Sequence, residues 1–336
     1  MPIERNLITD VPGVLVGNAA DARLASGVTA IVFEAPVVGS IDVRGGGPGT
    51  RETALLDPAQ TVQGIDAIAL SGGSAFGLEA ASGVQAWLAE QGRGFAVREA
   101  RVPIVPAAIL FDLLNGGDKA WGRYPPYREL GYAAAAGAGA AFPLGSAGAG
   151  LGATTVSLKG GLGSASAKCG AFTVGALAAV NAAGSAVVGR GPWFWASPFE
   201  QGAEFGGRGF PAPMPEDALA PVTKGMPQAS TTLAVVATDA TLTKAEAKRL
   251  AIMAQTGMSR AIYPVHTPLD GDVVFAVATG RAAAPAPAAG LAALGTAAAN
   301  CLARAIARGV YEAAALPFAG ALPAWRDRFA PGGARP

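Results

Sequence analysis

The sharpest constraint on the fold lies where a loop of turn-formers gives way to an apolar run. Pro211-Ala212-Pro213-Met214-Pro215, then Pro221, Gly225 and Pro227, form a stretch that disfavours regular packed structure. It ends at Ala229-Ser230-Thr231-Thr232, and Leu233 to Thr238 is short, apolar and rich in β-branched residues. That composition predicts a buried strand with hydroxyl residues at its mouth. Such a strand needs other elements to bury it.

The rest of the chain supplies the cover. Gly13 to Val16, Val28 to Phe33, Ile65 to Leu70, Phe172 to Val180 and Val273 to Ala278 read as further strands. Ser71 to Gly77 turns one of them into a helix over about Leu78 to Glu90, which is α/β grammar. Thr243-Lys244-Ala245-Glu246 has capping-box spacing, and Ala247, Leu250, Ala251, Ala254 and Met258 form the buried stripe of the helix that follows. Ala288 to Tyr311 is an Ala-rich helical segment whose glycines allow close packing. Val102 to Leu114 is apolar and packs against the sheet, while Asn181-Ala182-Ala183-Gly184 before Ser185 to Val188 reads as a β-hairpin turn. From Ala133 to Ala167 the chain is mostly Gly, Ala, Ser and Thr without charge, which points to closely packed backbone rather than a linker.

Bulk properties exclude several function classes. Of 336 residues only 15% are charged, 51% are hydrophobic and the net charge is +1, so there is no electrostatic footprint for nucleic acid. The single histidine, His266, rules out a site built from several imidazole ligands. Cys169 and Cys301 have no metal-ligand spacing. Met1 to Asp10 carries Glu4 and Arg5 with no long apolar segment behind it, so neither a leader nor a membrane span is visible and the expected location is the cytoplasm.

Motifs narrow the chemistry further. Gly45-Gly46-Gly47-Pro48-Gly49-Thr50 lacks the Gly-Lys-Ser/Thr ending of a phosphate loop and reads as a place of close backbone approach. Ser74 lies in Ser71-Gly72-Gly73-Ser74-Ala75-Phe76-Gly77, where the second glycine is displaced from the nucleophile-elbow position, and a helix N-cap is the commoner job for such a serine. Asp270 and Asp272 flank Gly271, and residues two apart in an extended segment point the same way, so both carboxylates can converge on one place. A solvated turn is the plainer reading of that string. On local grounds Asn181 serves its turn, and His266 is a loop histidine.

These strings in this order resemble the DmpA-like self-processing hydrolases, which include L-aminopeptidase/D-esterases, β-peptidyl aminopeptidases and nylon-oligomer hydrolases. The carriers are Asp42-Val43-Arg44-Gly45-Gly46, Pro48-Gly49-Thr50-Arg51-Glu52, Ser71 to Gly77, Arg101-Val102-Pro103-Ile104-Val105-Pro106-Ala107-Ala108, Lys159-Gly160-Gly161-Leu162-Gly163-Ser164-Ala165-Ser166, Thr231-Thr232, His266-Thr267-Pro268 and Asp270-Gly271-Asp272. The resemblance spans nearly the whole chain. It implies an α+β fold, an αββα sandwich of mixed sheets flanked by helices, in one domain over residues 1–336. It also implies an N-terminal-nucleophile hydrolase made as one inactive chain and cut between Ser230 and Thr231, giving pieces 1–230 and 231–336. By the same resemblance Thr231 is the nucleophile, Asp270 and Asp272 hold its hydroxyl and amine, and Asn181 supplies an oxyanion donor.

The chemistry is coherent from first principles. A threonine hydroxyl is a poor nucleophile until a base takes its proton. An α-amino group titrates at roughly 7.7 to 8.0, so the amine freed by the cut can be that base. Three positions depart from the family pattern. Ser230 stands where Asn or Gly is usual, which leaves Ala229-Ser230 as a second possible cut. Ser157 occupies the place of a family lysine, making Lys159, two residues on and on the same face of an extended chain, its substitute. Phe111 replaces a tyrosine of some nylon-oligomer hydrolases. The resemblance implies no metal or organic cofactor, a small peptide, amide or ester substrate, no nucleic-acid or membrane partner, and a homo-oligomer, as in a tetramer of processed heterodimers. Two other readings compete: an unprocessed serine hydrolase using Ser74, His266 and Asp270, and a ligand-binding protein without catalysis on the same scaffold.

Overall fold

A computed structural model describes residues 4–225, 230–282 and 290–329. Ala229 and Ala288, named above as the start of the strand mouth and of the last long helix, lie outside the described residues. The strands are β1 (Val14–Asp21), β2 (Ser26–Val43), β3 (Thr50–Arg51), β4 (Gly64–Ser71), β5 (Phe95–Val97), β6 (Ala100–Val102), β7 (Ala107–Ile109), β8 (Gly161–Cys169), β9 (Phe172–Asn181), β10 (Thr231–Thr238) and β11 (Val273–Ala278). The helices are α1 (Ala80–Glu90), α2 (Tyr127–Ala136), α3 (Lys244–Ser259), α4 (Gly290–Tyr311) and α5 (Trp325–Phe329).

Two leaves share one long strand. The hydrogen-bonded order is β3-β7-β4-β2-β11-β10-β9-β8, with β1 paired to β2 as well. The register of β2 against β4 shifts between Val32 and Val37, where Glu34, Ala35 and Pro36 are exposed. This bulge lets the first half of β2 pair with β1 and the second half with β11.

The burial pattern shows four layers. Ile31, Phe33, Ile65, Ile68 and Leu70 of the first leaf pack against Leu177, Ala179, Leu233, Val235, Val273 and Phe275 of the second. On the outer face of the second leaf, Ala176, Ala178, Ala234, Val236 and Ala276 meet Leu250, Ala254 and Met258 of α3 and Leu302 and Ile306 of α4. On the outer face of the first, Val28, Ala30, Ala67 and Ala69 meet Val84 and Leu88 of α1 and Ala134 of α2. This is the αββα arrangement anticipated from the resemblance. β9, β10 and β11 are buried along their full length, which is why they read as continuous apolar runs.

The helical details follow the sequence closely. Thr243 accepts a bond from the Glu246 amide while the Glu246 carboxylate takes the Thr243 N–H, and the predicted stripe of α3 is fully buried. Burying Leu250 and Met258 stabilises the fold by about 1.5–3 kcal/mol each. The Gly/Ala-rich stretch does pack backbone on backbone: a Cβ placed on Gly163 of β8 would lie 1.9 Å from the carbonyl oxygen of Ala305 in α4. Among the described residues α4 is the one helix long and apolar enough to cross a membrane, but it contacts β8, β9 and α3 and carries buried Arg304, paired with Glu204 at 2.6 Å.

Two expectations are corrected. The turn after Asn181 does not open a hairpin; β9 pairs instead with β8 and β10, and Ser185 and Val187 form only isolated bridges, to Tyr263 and Phe194. The Ser185 hydroxyl is the reason, because it bonds the N–H and C=O of Val187 and closes a local turn. Ser74 does not cap its helix either, since Gly73 holds the N-cap position in the left-handed region.

Candidate active site

Alternation along two neighbouring strands aims the first functional side chains. Thr231 shares its face of β10 with Leu233 and Val235, and Asn181 shares its face of β9 with Leu177 and Ala179, so both side chains point between the leaves. The two residues are direct partners across the antiparallel pair. Both sit at the strand ends, and both are nearly sealed from solvent, at 3% and 1% exposure.

A loop from the neighbouring β11 clamps the peptide between Ser230 and Thr231. Ser230 and Asp270 form a parallel bridge in which the Ser230 N–H donates to the Leu269 carbonyl at 3.1 Å and the Gly271 N–H donates to the Ser230 carbonyl at 2.8 Å. The Thr231 hydroxyl donates to that same carbonyl at 2.5 Å. One carbonyl oxygen thus takes two donors, one of them the hydroxyl of the next residue.

The glycine run before β3 holds this loop in turn. Gly47 N–H donates to the Asp270 carbonyl at 2.8 Å, and a Cβ on Gly45 would lie 2.3 Å from both Asp270 O and Asp272 N. The Gly45-to-Gly47 string is therefore a backbone-on-backbone seat, as its composition suggested.

The two aspartates do converge on this region, each with a separate set of partners. Asp272 accepts the Thr232 N–H at 2.7 Å through Oδ1, and through Oδ2 the His266 N–H at 3.1 Å and the His266 ring Nδ1 at 2.9 Å. Asp270 accepts the N–H groups of Ala183 and Thr267 at 3.2 and 2.9 Å. Burial, with the charge of Asp272 adding to it, holds the Asp270 carboxyl above the usual carboxylate range despite those bonds.

His266 is committed to Asp272 within its own loop, with φ at 56°. Among the described residues Ser74 makes no side-chain bond to it. The Ser74, His266 and Asp270 triad is thus not assembled.

Lys159 has a task other than the one its spacing suggested. Its ammonium, 1% exposed, donates to the carbonyls of Gly150, Ala153 and Gly160 at 2.9, 2.8 and 2.7 Å, using all three protons on backbone. Burial lowers its pKa to about 7. It supports the loop that presents Thr154 to Asn181.

The lysine that does reach Asn181 is Lys224. Its Nζ lies 3.2 Å from Asn181 Oδ1 and 3.4 Å from the Asn181 carbonyl. Asn181 Oδ1 also accepts the Thr154 N–H at 3.0 Å, and its amide donates to the Phe111 carbonyl at 2.9 Å. Residue 111 thus contributes its backbone, and the missing tyrosine hydroxyl leaves that bond intact. In the sequence Lys224 is hidden in the Pro- and Gly-rich loop; the one available signal is that it is the only basic residue between Arg208 and Lys244.

Phe111, Thr154 and Lys224, the three partners of Asn181, all line a cleft of about 430 Å³. Asp112, also in its wall, accepts the Ser26 hydroxyl at 2.6 Å and the Gly73 N–H at 2.7 Å, and burial raises its pKa against those bonds. In the continuous chain Thr231, the cross-strand partner of Asn181, is not among the residues that line this cleft. Among the described residues no cluster of acidic, histidine and cysteine side chains is arranged to hold a metal ion.

The αββα sandwich is a likeness of fold to an L-aminopeptidase D-Ala-esterase/amidase of Ochrobactrum anthropi, described as a variant of the N-terminal-nucleophile hydrolase fold, which superposes with a TM-score of 0.66 at 21% identity, covering 94% of this chain and 90% of its own. The chain belongs to peptidase family S58, whose family model matches residues 6–321, and it is a hydrolase of peptide bonds. An uncharacterized aminopeptidase of Mycobacterium tuberculosis is 46% identical over 350 residues, covering 96% of this chain and 98% of its own. A 6-aminohexanoate-oligomer endohydrolase of Kocuria is 29% identical over 278 residues, covering 80% and 74%. Among solved structures, a Burkholderia beta-aminopeptidase superposes with a TM-score of 0.72 at 23% identity, covering 97% and 92%, a likeness of fold.

Proposed function

We propose that the chain cuts itself between Ser230 and Thr231 and then hydrolyses small amides through the freed Thr231. The observation that carries this reading is the Ser230 carbonyl, which accepts the Thr231 hydroxyl at 2.5 Å and the Gly271 N–H at 2.8 Å. A nucleophile beside the carbonyl and a fixed donor on its oxygen are what an acyl shift from nitrogen to oxygen needs.

In that step Thr231 Oγ1 forms a bond to the Ser230 carbonyl carbon as its proton leaves, and the oxygen gains charge against Gly271 N–H. The carbon–nitrogen bond then breaks, the nitrogen takes the proton that Oγ1 gave up, and Ser230 is held as an ester on Thr231. Water adds to the ester, releasing the Ser230 carboxylate and restoring the hydroxyl. Thr231 now carries a free amine. Before the cut its nitrogen is an amide and cannot act as a base.

In the mature site the amine takes the proton of Oγ1 as the hydroxyl attacks a substrate carbonyl. The amine product departs with a proton, and water clears the acyl-Thr231 ester. Asn181, opposite Thr231, has a second amide proton beyond the one on Phe111 for the developing oxyanion. Asp272 steadies the nucleophile strand through Thr232 N–H. The cleft of about 430 Å³ suits a peptide of a few residues, an amino-acid amide or ester, or a short linear amide of the kind the Kocuria relative is named for.

Intact-mass spectrometry of freshly purified protein, with N-terminal sequencing of any smaller piece, tests this. The expected pieces span residues 1–230 and 231–336, the second beginning Thr-Thr-Leu-Ala. Thr231→Ala should give one full-length chain with no amidase activity. A piece beginning Ser-Thr-Thr would move the nucleophile to Ser230, and an uncut but active wild type would refute the reading.

A further inference from the structure

We infer that Lys224 is a positioning residue for self-cleavage: its cation fixes Asn181 and balances the carboxylates behind the scissile peptide while Thr231 still lacks an amine. The inference rests on the self-cutting reading above and adds a residue to it. Three independent features place Lys224 there. Its side chain donates to both the side-chain and main-chain oxygens of Asn181, the direct cross-strand partner of Thr231. Its backbone N–H donates to the Ala183 carbonyl at 3.2 Å, and the Ala183 N–H in turn donates to Asp270. In the sequence it stands only six residues before Ser230, so the cation and the peptide to be cut belong to one short stretch of chain.

Charge explains why a lysine is needed at this stage. Asp270 and Asp272 flank the clamped peptide, and each carboxylate is met by backbone N–H groups and, for Asp272, by His266. Lys224 and Asp270 attract, and the two are tied to one residue, the Lys224 N–H bonding the Ala183 carbonyl and Asp270 taking the Ala183 N–H. The other charged groups around it are Asp112 in the same cleft wall and Lys159 behind Asn181, whose like charge opposes it. Once the peptide is cut, the amine of Thr231 brings a positive charge of its own to these carboxylates. The requirement for Lys224 therefore belongs to maturation, before the Thr231 amine exists to meet these carboxylates, and its bonds to Asn181 add to those from Thr154 and Phe111.

The charge of Lys224 is sensitive to pH. Burial lowers its pKa to about 7, against the pull of Asp270, so the cation is complete below that value and is lost as pH rises through it. An arginine of similar reach keeps its charge throughout. This separates a role for the cation from a role for the bulk of the side chain.

The experiment follows the disappearance of full-length chain by intact mass, from first synthesis and across pH, in wild type, Lys224→Met and Lys224→Arg. The methionine variant should cut at least tenfold more slowly at neutral pH. The arginine variant should cut at a rate near wild type below pH 7, and the ratio of its rate to the wild-type rate should rise above pH 7. Equal cutting by wild type and methionine variant would overturn the inference and leave self-cutting intact. So would an arginine variant as slow as the methionine one at every pH, because the cation would then be irrelevant. A wild type that never cuts overturns both. Circular dichroism of each chain distinguishes slow cutting from failure to fold, and a misfolded methionine variant leaves the arginine-to-wild-type ratio as the deciding measurement.

Discussion

Gly271→Ala isolates the clamp on the scissile peptide. Gly271 lies outside the left-handed region, so alanine imposes no backbone strain there. Its Cβ, however, would lie 2.6 Å from Thr231 Oγ1, 2.9 Å from the Gly47 carbonyl and 3.3 Å from Pro48 Cα. To reach an ordinary 3.4 Å contact the Thr231 hydroxyl must retreat by roughly 0.8 Å, or the loop must swing away and take its N–H off the Ser230 carbonyl. A misplacement near 1 Å at a reacting centre can cost about a hundredfold in rate, equivalent to about 2.7 kcal/mol of barrier. Overpacking of this kind costs about 1–3 kcal/mol of stability. Cutting is followed by intact mass against time, and stability by urea titration of an uncut Thr231→Val background, which keeps the branched side chain that the new Cβ would meet, with and without the second change. Gly47→Ala is the control, because its Cβ would meet nothing closer than 3.7 Å. If Gly271→Ala cuts at the wild-type rate while Gly47→Ala does too, the Gly271 N–H is not part of the reaction and the reasoning fails.

Two further predictions concern stability rather than cutting. Thr243→Ala removes the capping box of α3 and should lower stability by about 1 kcal/mol, read from the urea midpoint, with amidase activity per folded enzyme unchanged. Lys159 titrates near 7 when folded and near 10.5 when unfolded, so between those values the unfolded chain binds more protons and stability rises with pH. Lys159→Met should reduce that rise, and, by leaving three buried carbonyls without their donor, should lower stability at neutral pH by about 3 kcal/mol. A pH dependence identical to wild type would place the protonation change elsewhere.

Legibility in this sequence follows how local the determining interaction is. β9, β10 and β11 read directly because layers on both faces select apolar residues at every position. The helix α3 carries its own start signal in Thr243 and Glu246. β2 reads as half its length, because Glu34, Ala35 and Pro36 break the apolar pattern at the bulge where the strand passes from one leaf to the other. Asn181-Ala182-Ala183-Gly184 has the composition of a hairpin turn, yet the strand that completes the pair is β10, fifty residues further on. Nothing within a short window encodes that pairing.

The lysines show the same limit in the site. Lys159 lies in the resemblance string two residues past the place of the family lysine, which Ser157 occupies, and in a strand an offset of two does predict a shared face. Face alone does not fix where a long side chain ends, and three carbonyls of Gly150, Ala153 and Gly160 claim the Lys159 ammonium before it can reach Asn181. Lys224 comes from a loop with no periodicity, and is brought to Asn181 by the Ala183 carbonyl that anchors its backbone. Under the self-cutting proposed above, the peptide to be cut is seated in the chain's own site, so residues shortly before the cut become neighbours of the strand that carries Thr231 through tertiary structure. Such residues answer to the geometry of a transient, uncut state, and a sequence comparison keyed to the mature enzyme's motifs has no string in which to find them.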